Sequence, residues 1–297
     1  MIDKLLAAIG HRIPGQIFSL KRIRNKWTEE EMARFAQEIV YFSECYSFEL
    51  LVEGYVYFTQ NYIDESKYFE THKKYRCQSF EEVECSLYSD ERNMTLYMLG
   101  LCMAEYLWET TLRIHRFFES LSGRLSGRHY LEIGPGHGKY FLEAYNLQRF
   151  NSYTGIDVSK TAIDMSEDYM RRYARKDSST SYSLLCADAT RYETEERYDF
   201  IVIQEVLEHI EDPLGMLRSL RELLTEDGKI YALMPINAPS PAHIFRFESI
   251  EHVKQIVTDA GLQIEEEEYI TANNVTLEEA EKNLRPINAC LLLKRGY

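Results

Sequence analysis

The chain has 297 residues, which at roughly 100–200 residues per domain allows one large domain or two ordinary ones, each with its own core. Its 34 Lys and Arg stand against 48 Asp and Glu, a net charge of −14 with His neutral, and that field repels phosphate backbones and disfavours a nucleic-acid partner. With 45% hydrophobic and 28% charged residues and no run of about 18 apolar residues, the composition predicts a soluble globular protein without a membrane span.

At the start, Met1 to Leu6 carries Asp3 and Lys4 and runs into Gly10, His11 and Arg12, which breaks the apolar stretch a signal peptide needs. A cytoplasmic location is therefore expected. The six cysteines, Cys45, Cys77, Cys85, Cys102, Cys186 and Cys290, show no CxxC or other metal spacing, and several sit in apolar segments, which fits a reducing compartment. Up to about residue 125 apolar residues recur at three and four positions with few glycines, which predicts helices. The basic run Lys21-Arg22-Ile23-Arg24-Asn25-Lys26 reads as a solvated turn between two of them. Thr28 with Glu31, and Ser79 with Glu82, have capping-box spacing and predict helix starts. From Met94 through Leu101, Trp108, Leu112 and Phe118, an apolar stripe predicts one long helix packed on the second half of the chain. Residues 1–125 are thus expected to form an all-helical cap domain, with apolar helices that favour a homodimer.

After Leu125 short apolar runs alternate with amphipathic stretches, the βαβα order of a parallel sheet covered by helices. The predicted strands are His129–Ile133, Tyr153–Ile156, Tyr182–Cys186, Phe200–Gln204, Lys229–Met234, Gln263–Ile270 and Ala289–Lys294. Between them lie predicted helices at Lys139–Gln148, Thr161–Arg175, Pro213–Leu224 and Ser249–Ala260, the last stopped by Gly261. Residues 176–181 read as a polar loop, residues 272–285 as an acidic insertion, and Glu265 to Glu268 as a solvated face. The expected fold is α/β over residues 126–297, with helices on both faces of a seven-stranded sheet. The 22 tyrosines suggest an aromatic-lined interior or pocket.

The sharpest local signal is Tyr130-Leu131-Glu132-Ile133-Gly134-Pro135-Gly136-His137-Gly138, a strand entering three alternate glycines and then a helix. Glycines let the backbone turn and approach a ligand without a Cβ in the way. The dinucleotide pattern G-x-G-x-x-G fails because Lys139 stands where its third glycine belongs, which argues against a pyrophosphate cofactor. No Lys-Ser or Lys-Thr pair follows, which excludes a phosphate-binding P-loop. Asp157 ends the next strand nineteen positions after Gly138, where a carboxylate can accept both hydroxyls of an adenosine ribose. Glu132 adds a second negative charge, and two carboxylates around a nucleoside suit a cationic cofactor.

These residues resemble the class I S-adenosylmethionine-dependent methyltransferases, and the resemblance spans about Gly127 to the carboxyl terminus. The family's Glu-x-Gly-x-Gly-x-Gly loop matches Glu132, Gly134, Gly136 and Gly138, and its ribose acid matches Asp157. The acid that approaches the adenine amino group matches Asp188 in Cys186-Ala187-Asp188-Ala189. The run Gln204-Glu205-Val206-Leu207-Glu208-His209 looks like that of the ubiquinone-type O-methyltransferases. The resemblance implies a Rossmann-like methyltransferase sheet whose last strand is antiparallel, S-adenosylmethionine as cofactor, and contacts from Val158, Ala189 and Gln204 beside the motif residues. It leaves the helical first 125 residues unmatched; such additions commonly cover the substrate.

A methyl group on a sulfonium needs mainly an aligned lone pair and a dry site, with a general base as an option. His209, after the fourth strand, and His243, in the proline-rich loop after the fifth, are the candidate bases, with Glu205 as their carboxylate. Arg246 loosely matches an arginine the family often carries near that loop. Glu205 and His209, four apart, could share a helix face and with His243 form a two-His, one-carboxylate metal set, but a metal-free site is expected. His137 reads as a variable loop position near the methionine moiety. Trp108 and Tyr106 are assigned to the core in preference to the substrate pocket. The expected function is methyl transfer to an oxygen, nitrogen or carbon of a small molecule, as in secondary-metabolite tailoring. The alternatives are a protein or tRNA methylase and a binding protein that retains the fold.

Overall fold

The computed structural model describes all residues except 85, 86, 88, 89, 177–179, 273, 274 and 297. Cys85 and parts of the expected polar loop and acidic insertion therefore lie outside the described residues. The first part of the chain is helical: α1 (Ile2–Arg12), α2 (Ile17–Arg24), α3 (Glu29–Cys45), α4 (Phe48–His72), α5 (Phe80–Val83), α6 (Glu91–Leu107) and α7 (Glu109–Ser122). The remainder alternates β1 (His129–Ile133), α8 (Lys139–Leu147), β2 (Ser152–Asp157), α9 (Lys160–Tyr173), β3 (Ser181–Cys186), β4 (Tyr198–Gln204), α10 (Pro213–Leu223), β5 (Leu224–Ile236), α11 (Ile250–Asp259), β6 (Leu262–Thr271), α12 (Leu277–Lys282) and β7 (Ile287–Arg295).

The seven strands form one sheet in the order β3-β2-β1-β4-β5-β7-β6, with β7 antiparallel to both of its neighbours and the other pairs parallel. The order reverses between β1 and β4. At such a switch point the loops leaving the two strands diverge and open a crevice at their carboxyl ends. Two cores follow from the strand period of two. Leu131, Ile133, Ile201 and Ile203 face α10 and α11, while Tyr130, Tyr153 and Phe200 face α8, α9 and the cap helices. Tyrosine is heavily used in this interior: Tyr41, Tyr55, Tyr106, Tyr130, Tyr153, Tyr198 and Tyr231 are fully buried.

The capping box at α3 is complete, with Thr28 Oγ1 accepting the Glu31 N–H and the Glu31 carboxylate accepting the Thr28 N–H. At α5 only half of it forms, because the Glu82 carboxylate takes the Gln78 N–H instead. The expected long helix is two helices. Trp108 is extended (φ −108°, ψ 134°), and the Thr111 hydroxyl lies within hydrogen-bond distance of the carbonyls of Ala104 and Trp108 on either side of the break. The break lets one apolar stripe serve two surfaces, α6 packing on α4 and α9, and α7 on β6 and β7.

The basic run is also not a turn. Most of it lies in α2, and Arg24 pairs with Asp3 and Lys26 with Glu109. The glutamates of β6 are paired, and not merely solvated: Arg124, just past α7, and Arg113 of α7 hold Glu266 and Glu268, while Lys229 and Lys254 hold Glu265 and Glu267. The acidic insertion contains α12, started by a full capping box at Thr276 and Glu279. No helix among the described residues is long and apolar enough to cross a membrane.

The cap has its own tight crossing, where α4 and α6 meet at Gly54 and Gly100. A Cβ on Gly100 would lie 2.4 Å from the Gly54 carbonyl oxygen and from Phe58 Cβ. Alanine gains about 1 kcal/mol in helix propensity over glycine, but the opposing atom is backbone and cannot yield without moving a helix. Gly100→Ala is therefore expected to destabilise the protein by about 1–3 kcal/mol. The denaturation midpoint checks this, and a midpoint at or above that of the unmodified chain would mean the helices have room.

Candidate active site

The loop after β1 is built for close approach. Gly134, Gly136 and Gly138 have φ of 70°, 57° and 84°, a region that glycine enters without penalty. A Cβ on Gly134 would lie 2.4 Å from Val206 Cγ2, and one on Gly138 would lie 2.8 Å from Ser166 Cα. Gly134 and Gly136 line a cavity of about 610 Å³, whereas Gly138 lies outside its lining and lets α8 pack on α9. Gly138 thus has a packing role at the start of α8.

Asp157 closes the far side of the loop. Its Oδ1 accepts the Ser159 N–H at 2.8 Å and its Oδ2 the Gly136 N–H at 3.2 Å. Burial pushes its carboxyl up to about 6, although both N–H groups oppose the shift. Glu132 accepts the Tyr130 hydroxyl on the same strand face, and burial pushes it up to about 8. Val158, half exposed, stands at the mouth. Beside it are Asp188, which accepts the N–H and hydroxyl of Thr190, and Ala189. Gln204 lines the floor, its buried Oε1 lacking a hydrogen-bond partner. Eight of the nine expected cofactor residues therefore line one cavity.

A second group faces the same cavity from the loops after β4 and β5. Glu205 and His209 do not share a helix face: Glu205 is in a left-handed turn (φ 54°), followed by a short 3₁₀ turn, Leu207–His209. That turn buries Glu208 against the two histidines, outside the cavity lining to which Glu205, His209 and His243 belong. Glu208 is fully buried, neither of its oxygens has a hydrogen-bond partner, and its Oε1 lies 3.6 Å from Nε2 of both His209 and His243. His243 Nδ1 donates to the Ala238 carbonyl at 2.6 Å, which leaves a lone pair on the Nε2 that faces Glu208. The ligand atoms of Glu208, His209 and His243 all lie within 4.8 Å of one another. Burial pushes His209 down to about 4 and, with His209 beside it, His243 well below its usual range. Burial likewise raises Glu208 to about 8, and burial and the neighbouring Glu208 raise Glu205 well above the carboxylate range. Glu208 is the residue that sequence reasoning passed over; the signal was its place directly before His209.

The loop carrying His243 is clamped by the cap. Tyr75 Oη accepts the Ala238 N–H at 3.1 Å, and the Tyr75 ring meets that of His243 edge-on. Arg246 bonds Asn237 Oδ1 and the Lys73 carbonyl and covers Phe69, so it is a brace for this loop and not a cavity residue. The roof is apolar and aromatic, from Phe58 and Tyr62 of α4, Tyr97 and Leu101 of α6, and Trp108. Trp108 lies 5.3 Å from Phe58 and 5.0 Å from Tyr62, ring to ring. Trp108 thus lines the cavity as well as packing against the core. Tyr106 is buried elsewhere, its hydroxyl on Glu38.

The model of the methyltransferase domain family matches residues 109–267, more than half of the chain, beginning in α7. A ubiquinone biosynthesis O-methyltransferase of Stutzerimonas stutzeri (strain A1501) is 27% identical over 146 residues, covering 49% of this chain and 60% of that protein. An (S)-coclaurine N-methyltransferase of Papaver somniferum is 30% identical over 105 residues, 35% of this chain and 29% of that one. The chain therefore spans less than two thirds of these relatives. Among solved structures, the [4+2]-cyclase SpnF aligns with TM-score 0.50 and 14% identity over 62% of this chain and 80% of that one. The N-methyltransferase NodS from Bradyrhizobium japonicum WM9 aligns with TM-score 0.47 and 20% identity over 63% of this chain and 88% of that one. The matched domain, the 3-2-1-4-5-7-6 sheet with its antiparallel seventh strand, and the glycine loop answered by Asp157 agree: the chain belongs to the methyltransferase domain family, in its class I form.

Proposed function

We propose that this protein transfers the methyl group of S-adenosylmethionine to a nucleophilic oxygen, nitrogen or carbon of a small acceptor enclosed beneath a helical cap formed by residues 1–125. The observation that carries the reading is one cavity that joins the Asp157 and glycine-loop cradle to Glu205, His209 and His243 under an aromatic roof, with Glu208 fully buried against the two histidines. The cradle fits the cofactor: a Cβ would fill it at Gly134, and Asp157 is a half-buried acceptor at the ribose distance in sequence. Bound there, the cofactor supplies a methyl group already activated by its positive sulfur.

The remaining work falls to the chain's own residues. Gly134 and Gly136 leave room for the ligand at the loop, and Asp157 accepts ribose hydroxyls. Phe58, Tyr62, Tyr97 and Trp108 exclude water and present flat apolar faces to the acceptor. His209 and His243 are neutral imidazoles, able to take a proton from an acceptor hydroxyl or amine.

The cluster also fits a divalent cation, in place of the metal-free site expected above. The carboxylate of Glu208 and the lone pair on His243 Nε2 converge, and a positive charge between them is what makes the arrangement favourable. His243 is further anchored through Nδ1–H on a carbonyl, as metal-bound histidines are. With Glu205 adjacent, a cation there would lower the pKa of an acceptor hydroxyl.

The aromatic roof of Phe58, Tyr62, Tyr97 and Trp108 favours a small acceptor over tRNA or protein, and such a pocket suits metabolite tailoring. The test is labelled methyl transfer from S-adenosylmethionine to a panel of small aromatic hydroxyl and amine compounds, beside bulk tRNA and protein. Transfer to members of the small-molecule panel is expected. Transfer to a macromolecule alone, or no transfer to any acceptor, would defeat the reading.

A further inference from the structure

A sulfonium has three substituents, and in this cavity two of them have been given places. On the reading proposed above, the adenosyl arm goes to Asp157 and the methyl group faces the Glu205, Glu208, His209 and His243 cluster. The third arm carries an ammonium and a carboxylate, and burying it without polar partners would cost several kcal/mol. Glu132 is engaged by Tyr130 and pushed toward its neutral form. Beside the glycine loop stands a buried charged set shared between cap and loop: Glu105 of α6 and His137, each 4% exposed and each lining the cavity.

The geometry of this set is specific. Glu105 Oε1 accepts His137 Nε2–H at 3.0 Å, and Glu105 Oε2 lies 2.7 Å from Lys139 Nζ, which itself covers the Tyr106 ring. Helix α6 lies directly on the loop, since a Cβ on Gly136 would come within 3.3 Å of Met98 Cε. Burial alone would raise Glu105, but Lys139 and His137 outweigh it and hold the carboxyl down to about 2, so the group is ionised. A carboxylate has about four lone-pair sites, and two contacts leave sites for another donor.

We propose that Glu105, a residue of the cap, binds the α-ammonium of the cofactor's amino-acid arm, with His137 orienting its carboxylate toward that arm. Residues before the methyltransferase-matched region then form part of the cofactor site itself, and the cap does more than cover an acceptor. The assignment rests on the cofactor reading above.

The experiment compares two nucleosides by calorimetric titration of the full chain: S-adenosylhomocysteine, which carries the arm, and 5′-deoxy-5′-methylthioadenosine, which lacks it. The unmodified chain should bind the first more tightly. Glu105→Gln should weaken S-adenosylhomocysteine by about 10–150-fold, the range for a hydrogen bond to a charged group, while methylthioadenosine stays within about twofold. His137→Asn should weaken S-adenosylhomocysteine selectively and by less. Equal weakening of both ligands would mark Glu105 as structural and overturn the assignment, as would an unchanged preference for the arm. If the unmodified chain binds neither nucleoside, the cofactor reading falls and this assignment with it.

Discussion

His243→Ala should lower methyl transfer by about 10²–10⁴-fold, the span that a positioned acid or base contributes, while S-adenosylhomocysteine affinity stays nearly unchanged. Its side chain lines the acceptor end of the cavity, is held by the Ala238 carbonyl through Nδ1, and presents Nε2 toward Glu208. Glu208→Gln should have a similar effect, because an amide keeps the shape but removes the ionisable carboxyl beside which the two imidazoles converge. The variants also separate a proton from a cation at this cluster. If a cation is held there, a chelator should bring the unmodified protein down to the rate of the variants, which should themselves be insensitive to it. The rate should also rise with pH until about 8, since burial pushes Glu208 up to about 8 and its proton must leave before a cation binds. Turnover within about threefold of the unmodified protein in both variants would remove the cluster from the chemistry and leave alignment alone as the mechanism.

The parts of this arrangement that were legible in the sequence are those set by short-range rules. The strand-glycine-helix run and the aspartate that closes β2 are local, since backbone geometry alone fixes where a carboxylate at the end of the next parallel strand must stand. Seven strands and the antiparallel β7 likewise followed from period and resemblance. What was not legible depends on a turn or on a long-range partner. The pairing of Glu205 with His209 assumed a helix, but the left-handed residue at Glu205 redirects the chain and puts Glu208 in its place. The break at Trp108 is invisible to periodicity, because the apolar spacing continues through it while the backbone turns. Glu105 and His137 lie 32 residues apart and meet only because α6 packs on the glycine loop. Lys139, which spoiled the dinucleotide pattern, turns out to serve the same junction as the cation that keeps Glu105 ionised.

Asp157→Ala is expected to weaken S-adenosylmethionine binding by about 1.5–3 kcal/mol, or roughly 10–150-fold, and to change its pH dependence. Burial dominates at Asp157 and raises its carboxyl from 3.8 to about 6, with the Ser159 and Gly136 N–H groups limiting the rise. A ribose hydroxyl donates well only to the ionised carboxylate. In the unmodified protein affinity should therefore be full above pH 6 and should fall as pH drops through it, approaching tenfold per unit further down. The alanine variant has no carboxyl to protonate and should lose this step near pH 6. Glu132, raised to about 8, adds a second step for the cationic S-adenosylmethionine that the uncharged thioether of S-adenosylhomocysteine should feel less, because a carboxylate near a sulfonium stabilises positive charge. Titration of both ligands between pH 5 and 9 on the unmodified and variant chains separates the two acids. A step near pH 6 that survives the substitution would assign it to another group, and an unchanged affinity would take Asp157 out of the cofactor site.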